Sequence, residues 1–215
     1  MDSSFVRPRI LSVEGNIGAG KSTLVEALKE RHAHDPSILF LQEPVDVWST
    51  VQQDGKTILE LFYENQEKYS FAFQILAYST RLELIEKAVQ DATANGVKTI
   101  VMERSLEADK NIFAKMLYDE GKLEPCMHDI YLHMSRGGLE KYMADGILWV
   151  HAGPETCYER IAKRGREGED QIPLSYLERC DVYHREWLGA DTGFVHLVDD
   201  TVDWEALDVY LRGAA

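Results

Sequence analysis

The sequence predicts an α/β fold in which a five-stranded parallel sheet is flanked by helices. Three observations support this prediction. Short apolar runs alternate with helical stretches, most of those runs lack the polar alternation of a half-exposed strand, and a glycine-rich turn joins the first run to a helix. Because 45% of the 215 residues are hydrophobic, the chain can bury one core, and we expect a single domain over residues 1–215.

The predicted elements alternate along the chain. The runs that we interpret as strands lie at 10–15, 38–44, 97–105, 146–154 and 194–200. Helical spacing of apolar residues occurs at 22–33, 57–92, 106–119, 125–143, 155–163, 173–187 and 203–212. Since the stretch 57–92 has more apolar residues than one helix buries against one sheet, it either breaks into two helices or packs on a second copy of the chain.

Composition excludes several classes of protein. Acidic residues outnumber basic ones 37 to 23, which opposes binding to a nucleic acid polymer. The cysteines, Cys126, Cys157 and Cys180, show neither a disulfide framework nor a zinc spacing. No apolar run has the length of a membrane span, and the nine residues before the first strand are too few for a signal peptide. We therefore expect a cytoplasmic protein without a membrane partner.

The glycine-rich turn matches Gly-x-x-x-x-Gly-Lys-Ser/Thr without a mismatch, between a strand and a helix as the motif requires. Its residues are Gly15, Asn16, Ile17, Gly18, Ala19, Gly20, Lys21 and Ser22, followed by Thr23. Backbone N–H groups of such a loop surround phosphate, the lysine reaches the outer phosphates, and the serine hydroxyl binds Mg²⁺. The sequence thus predicts a P-loop NTPase fold that binds a nucleoside triphosphate with Mg²⁺, rather than a merely flexible turn.

Acidic residues end two further predicted strands. Glu43 follows the run at 38–44, and Glu103 with Arg104 ends the run at 97–105. Ligands of parallel sheets gather beyond the carboxyl ends of the strands, so these side chains should meet the P-loop. Phosphoryl transfer to an alcohol needs a proton acceptor, a metal ligand and balancing cations. Taken alone, either glutamate fits a solvated loop residue or a helix-start acid better than a catalytic group, but beside a P-loop the catalytic interpretation is favoured.

The arginines of the next segment have two interpretations. Arg160 and Arg164 lie one helical turn apart, which is typical of an exposed face paired with Glu155 or Glu159. Gly165, however, ends the helix before Arg166. A loop at about 164–171 that carries arginines onto phosphates would act as a lid.

Five motifs in this order resemble the deoxynucleoside kinases, the family of deoxycytidine, deoxyguanosine and deoxyadenosine kinases. They are "SVEGNIGAGKST", "QEPVDVW", "YSFAFQ", "MERSLEADKNIF" and "RGREGEDQIPLSYLE", and the resemblance runs from about residue 10 to about residue 190. It implies ATP-dependent phosphorylation of the 5′-hydroxyl of 2′-deoxynucleosides.

The resemblance also implies roles for individual residues. Glu43 matches the general base, Arg104 the neighbour that keeps it ionised, and Glu103 the acid that joins Ser22 around Mg²⁺. Lys21 and the arginines Arg160, Arg164 and Arg166 match groups that face the phosphates. Tyr63 and Glu169 match the pair that holds the 3′-hydroxyl, Gln74 the amide that reads the base, and Trp48 and Phe113 the walls of its pocket. Tyr69, Phe71 and Phe73 fit either the core or this pocket.

The identity of the nucleoside is predicted only in part. Arg81 and Asp109 match the charged pair of the deoxycytidine and purine deoxynucleoside kinases, which leaves little room for the thymine methyl group. The resemblance therefore implies deoxycytidine or purine deoxynucleosides over thymidine. Gly168 stands where close relatives carry an acid, which implies a looser lid.

Two other functions remain as alternatives. A nucleoside monophosphate kinase of the thymidylate type shares the fold, but a phosphate acceptor has no use for a carboxylate base such as Glu43. A non-catalytic nucleotide-binding subunit would be expected to have lost Lys21, Glu43 or Arg104. We also expect a homodimer, formed through the apolar excess on 57–92 and 106–119.

Overall fold

The structure is a computed structural model that describes residues 7–166, 168–169, 171–189, 195–198 and 202–213. Its strands are β1 (Arg9–Glu14), β2 (Ile38–Leu41), β3 (Gln52–Gln53), β4 (Lys56–Thr57), β5 (Thr99–Glu103), β6 (Gly146–Val150) and β7 (Val195–Val198). The main sheet has the order β2-β5-β1-β6-β7 with every pair parallel, while β3 and β4 form a small antiparallel hairpin. The predicted α/β fold with a parallel sheet is confirmed.

Helices connect these strands and cover the sheet. They are α1 (Lys21–Arg31), α2 (Val45–Thr50), α3 (Ile58–Glu64), α4 (Gln66–Asn95), α5 (Leu106–Ala108), a π-helix (Asp109–Ala114), α6 (Lys115–Asp119), α7 (Pro125–Tyr142), α8 (Pro154–Arg164), α9 (Leu174–Leu188) and α10 (Trp204–Arg212). Neither α2 nor the β3–β4 hairpin was predicted from the sequence. Each is only a few residues long, too short to produce a periodic pattern. Among the described residues, no helix has both the length and the apolarity needed to cross a membrane.

The register of the central strands places the functional ends level with one another. In β1, Ile10, Leu11 and Val13 are fully buried, as expected for a strand with neighbours on both sides and helices on both faces. Val13 pairs with Glu103 of β5 and with Leu148 of β6. The P-loop therefore begins at the height where β5 presents its acidic residue.

The stretch 57–92 breaks into two helices, the first of the two predicted alternatives. Thr57 and Glu60 form a reciprocal capping box that begins α3. Asn65 ends that helix and begins α4, where its side chain accepts a hydrogen bond from the Lys68 N–H at 3.1 Å. Gly96, with a φ of 71°, ends α4.

The segment 106–119, which was expected to form part of a dimer interface, buries most of its apolar residues within the chain. Ser105 begins it by accepting a hydrogen bond from the Ala108 N–H at 3.2 Å. Its residues Leu106, Ile112, Met116 and Leu117 are almost completely buried in the core. The apolar excess of this segment is thus used within the chain, and α7 carries the exposed apolar residues Ile130 and Met134 instead.

Helices α4 and α7 approach closely at a glycine. The Tyr78 hydroxyl of α4 donates to the Ser135 carbonyl of α7 at 2.7 Å, and the Tyr78 ring lies edge-on to Tyr131. A Cβ atom on Gly138 would lie 2.2 Å from that hydroxyl and 2.9 Å from Leu82, whereas a Cβ on the adjacent Gly137 would meet no heavy atom within 4 Å. Packing therefore requires glycine at position 138 but not at position 137.

This difference predicts opposite effects of two neighbouring substitutions. G138A should destabilise the protein by about 1–3 kcal/mol, because the buried Tyr78 would have to move and lose its hydrogen bond. The matched control G137A should be neutral, or stabilising by up to about 1 kcal/mol, because alanine is the better helix former. The free energies of unfolding in urea test this. Equal effects of the two substitutions would contradict the packing role.

Candidate active site

The glycines of the P-loop lie where a side chain would clash or would strain the backbone. Gly15, Gly18 and Gly20 have φ values of 147°, 80° and 109°, which side chains disfavour. A Cβ on Gly15 would lie 2.2 Å from the Val150 carbonyl oxygen, and one on Gly18 would lie 2.6 Å from that of Cys157. These glycines let the loop pass against β6 and α8, which aligns its N–H groups around a phosphate site at the start of α1.

Lys21 is buried at the base of this loop. Its Nζ donates to the Asn16 carbonyl at 2.9 Å, and the Asn16 side chain in turn donates to the Leu177 carbonyl of α9 at 2.8 Å. Burial, together with the charge of Arg104, lowers the pKa of Lys21 from 10.5 to about 8. An anion bound in the loop would supply the counter-charge that this ammonium group lacks.

Ser22 and Glu103 meet beside the loop as the sequence predicts. The Ser22 hydroxyl donates to Glu103 Oε1 at 2.8 Å. A hydroxyl and a carboxylate oxygen are ligands that suit Mg²⁺, which retains waters and takes its other ligands from the nucleotide phosphates. The described residues contain no cluster of three His, Cys, Asp or Glu, so a self-contained metal cage is not present among them.

Glu43 lies in the field of three cations. Its Oε1 accepts from Arg81 Nη2 at 2.7 Å and from Arg104 Nε at 3.1 Å. Burial would raise the pKa of Glu43, but the charges of Arg104, Arg81 and Lys21 outweigh it and hold the pKa below its ordinary value of 4.5. Glu43 is consequently a carboxylate at neutral pH.

Arg81 also joins Glu43 to Asp109. The other guanidinium nitrogen, Nη1, forms an ion pair with Asp109, and Arg81 is 1% exposed. Burial raises the pKa of Asp109 to about 6 against the opposing charge of Arg81. A series of ion pairs thus runs along one wall of the site, from Asp109 through Arg81 and Glu43 to Arg104.

All nine residues predicted to bind the substrate line one cavity. Trp48 packs edge-on against Phe73, with 5.4 Å between ring centroids, and Phe113 lies 4.7 Å beneath the Arg104 guanidinium. Gln74 is 3% exposed, and its Oε1 has no hydrogen-bond partner among the described residues. This orphaned acceptor marks a position for a donor from a ligand.

The three predicted arginines do not pair as an exposed helix face would. Arg160 Nη1 donates to the Ala19 carbonyl of the P-loop at 2.8 Å. Arg164 and Arg166 both bind the buried Glu169, with contacts of 2.5 and 3.2 Å. Glu155 and Glu159 are therefore not the partners found for Arg160 and Arg164. Residues 167 and 170 of the predicted lid lie outside the described residues.

The P-loop and the cavity that those nine residues line are neighbours. A second cavity is lined by the P-loop, Thr23 and the arginines of α8. The two share Ile17, Glu43, Arg104, Arg166 and Glu169. Two carboxylates, those of Glu43 and Glu169, therefore lie where the P-loop cavity meets the cavity of the predicted substrate residues.

Comparison with known proteins identifies the family of the chain. The family model described as deoxynucleoside kinase matches residues 11–208. The chain belongs to the deoxynucleoside kinase family. It is 34% identical over 204 residues to human deoxycytidine kinase, covering 86% of this chain and 77% of the relative. It is 32% identical to chicken deoxycytidine kinase 2, covering 87% and 77%, and 28% identical to the mitochondrial deoxyguanosine kinase of Xenopus laevis, covering 85% and 74%.

Family membership confirms the predicted resemblance and the enzyme class. This deoxynucleoside kinase transfers phosphate from ATP to the 5′-hydroxyl of deoxynucleosides. The two alternative functions, a nucleoside monophosphate kinase and a non-catalytic nucleotide-binding subunit, are not favoured.

Several residues that line the acceptor cavity of this kinase were not predicted from the sequence. Val45, Leu59, Ala77 and Tyr176 also contribute to its wall. The Tyr176 ring lies edge-on to Tyr63 with 5.7 Å between centroids, and burial raises the pKa of Tyr176 well above its ordinary value. Tyr176 lies within the quoted motif "RGREGEDQIPLSYLE", so the motif contained the signal that could have located it.

Proposed function

We propose that this kinase uses Glu43 as the general base that accepts the proton of the 5′-hydroxyl. The position of Glu43 at the boundary of the two cavities carries the proposal. Both arginine contacts described for Glu43 fall on Oε1, which leaves Oε2 available to a hydroxyl. The arginines keep the carboxylate ionised and fix its rotamer, so that it needs no rearrangement when the alcohol arrives.

The donor half of the reaction follows from the P-loop. Residues 15–23 would hold the ATP phosphates, while Lys21 and the helix and lid arginines Arg160, Arg164 and Arg166 would balance charge on the transferring group. Ser22 and Glu103 would hold Mg²⁺, which when bound neutralises charge between the outer phosphates. Arg104 is 2% exposed and aims its guanidinium at Glu43, so its role is to position the base.

The sugar half depends on Tyr63 and Glu169, which both line the acceptor cavity. Burial raises the pKa of Tyr63 well above 10, so its hydroxyl stays protonated and can donate to the 3′-oxygen. Glu169 is bound to Arg164 and Arg166. As the triphosphate attracts those arginines, the carboxylate becomes free to accept from the 3′-hydroxyl. The bulk of Tyr63 favours deoxyribose over ribose.

The base half favours deoxycytidine and purine deoxynucleosides over thymidine. The buried ion pair of Arg81 and Asp109 occupies the cavity wall, and burying a methyl group against it would desolvate charge without a compensating hydrogen bond. Gln74 offers an acceptor with no partner among the described residues, which suits an exocyclic amino group. The names of the human and Xenopus relatives, a deoxycytidine and a deoxyguanosine kinase, support this preference.

The homodimer and the cytoplasmic location are parts of the same proposal. Ile130 and Met134 lie one turn apart on α7, beside α4, and are 54% and 36% exposed. Paired apolar residues on an exposed helix face suit a self-complementary two-fold interface. The three cysteines are free, as expected in a reducing compartment.

Removing the proposed base should abolish turnover. E43Q should lower kcat by about 10²–10⁴-fold, because an amide of similar shape cannot accept the proton. The KM for ATP should change little, since Glu43 has no described contact with the P-loop. Steady-state kinetics with deoxycytidine test this, with E83Q on the exposed surface of α4 as the matched control. An E43Q enzyme with wild-type kcat would exclude Glu43 as the base.

Substrate preference can be ranked with the wild-type enzyme. Thymidine should have the lowest kcat/KM of the four deoxynucleosides with ATP, by about tenfold or more, because its methyl group meets the Arg81–Asp109 pair. The corresponding nucleoside monophosphates should not act as acceptors, because their phosphate would meet Glu43. A highest kcat/KM for thymidine would overturn the assigned base preference.

The dimer is tested by mass in solution. Sedimentation of the wild-type protein at micromolar concentration should give twice the chain mass of 24.5 kDa. I130E should shift it toward the monomer, because a charge would be buried in the interface. V182E changes an equally exposed residue on α9 and should leave the dimer intact. A wild-type mass of one chain would contradict the interface.

A further inference from the structure

A carboxyl group that no proposed reaction step uses lies beneath the site. Glu14 is the last residue of β1, in the middle of the sheet, and it is 0% exposed. Its Oε2 has no hydrogen-bond partner among the described residues. Burying a half-paired carboxyl is unfavourable compared with an apolar side chain. A position that keeps one therefore requires the contacts that its other oxygen makes.

Those contacts lead to the strand end that carries the arginine. Glu14 Oε1 accepts from the Ser105 N–H at 2.8 Å and from the Ser12 hydroxyl at 2.5 Å. Ser105 immediately follows Arg104. The Glu14 side chain of β1 thus binds the backbone just after β5, one residue beyond Arg104.

The backbone at that point has an unusual conformation. Arg104 has a φ of 66°, and among the described residues Asp54 is the only other non-glycine residue with positive φ. The Arg104 N–H donates to the Val13 carbonyl at 3.0 Å, which extends the β1–β5 pairing. The next N–H is the one that Glu14 accepts. Consecutive residues of β1 therefore hold the two N–H groups on either side of the left-handed turn.

We propose that Glu14 is a positioning residue for the transfer reaction, which acts by holding the left-handed turn that directs Arg104 at Glu43. With the turn held, the Arg104 guanidinium contacts Glu43 at 3.1 Å and the Gly15 carbonyl at 3.3 Å. Without it, Arg104 would relax toward the extended conformation that residues of its type prefer, and its side chain would point elsewhere. This inference rests on the proposed role of Glu43.

Three variants test the mechanism in the full-length enzyme. E14A should lower kcat by about 10²-fold through misplacement of Arg104, with a KM for ATP close to that of wild type. E14Q keeps an oxygen acceptor for Ser105 and should recover most of that kcat. S12A removes the second donor to Glu14 but leaves the Ser105 contact, and it should resemble wild type. Should E14A not fold, E14D serves instead, because its shorter side chain withdraws the carboxylate from Ser105.

A combined variant distinguishes positioning from general destabilisation. If Glu14 acts through Arg104, E14A should cause little further loss of kcat in an R104M background. A full additional loss in that background would overturn the proposal, as would equal impairment in E14A and E14Q, or a KM for ATP that rises as kcat falls. The single variants R104M and E43Q separate the two levels of inference. Wild-type turnover of R104M would refute the role of Arg104, and wild-type turnover of E43Q would refute that of Glu43. An inactive R104M beside an active E14A refutes only the role of Glu14.

Discussion

The sharing of one carboxylate by two arginines is the interaction on which the site depends. Glu43 Oε1 is bound by Arg81 from α4 and by Arg104 from the end of β5, while Glu43 itself follows β2. Three elements distant in sequence are thereby fixed at one point. Because the three charges are largely buried, their attraction is weakly screened, and loss of any one would leave an uncompensated charge. The geometry that suits catalysis is also the one that the fold needs in order to keep these charges paired.

The parallel sheet explains why these groups meet at all. Its strands are in a register that brings Glu14, Glu103 and the start of the P-loop to one edge. Glycines of the loop allow β6 and α8 to approach within contact distance, so the phosphate site is supported by backbone from both sides. The acceptor cavity is instead built from side chains of α2, α3, α4 and the π-helix. The donor site is consequently set by backbone and the acceptor site by residue identity, as expected where chemistry is constant and specificity varies.

Much of this arrangement could be predicted from the sequence, and the failures have physical causes. The P-loop, Glu43, Glu103 and Arg104 could be placed because strand ends converge in a parallel sheet whatever the side-chain details. The partners of Arg160, Arg164 and Glu169 could not, since the choice among several nearby carboxylates depends on the tertiary path of the loop. The segment 106–119 was assigned to a dimer interface because periodicity reports an apolar face without indicating what covers it. Helix α2 was missed because a six-residue helix produces no period.

Glu14 shows most clearly where sequence reasoning ends. It lies within a motif that was recognised from the sequence. The motif predicts roles for the residues that contact phosphate, but it predicts no role for the strand residue directly before them. Besides the Ser12 hydroxyl, its partner is the Ser105 N–H, which the positive φ of Arg104 puts in place, and residue type alone predicts neither that N–H contact nor that φ. A left-handed backbone conformation is unfavourable for an arginine and persists only where surrounding contacts hold it. The position of Arg104 is therefore set by two strands together, because β1 binds the backbone N–H groups of both Arg104 and Ser105.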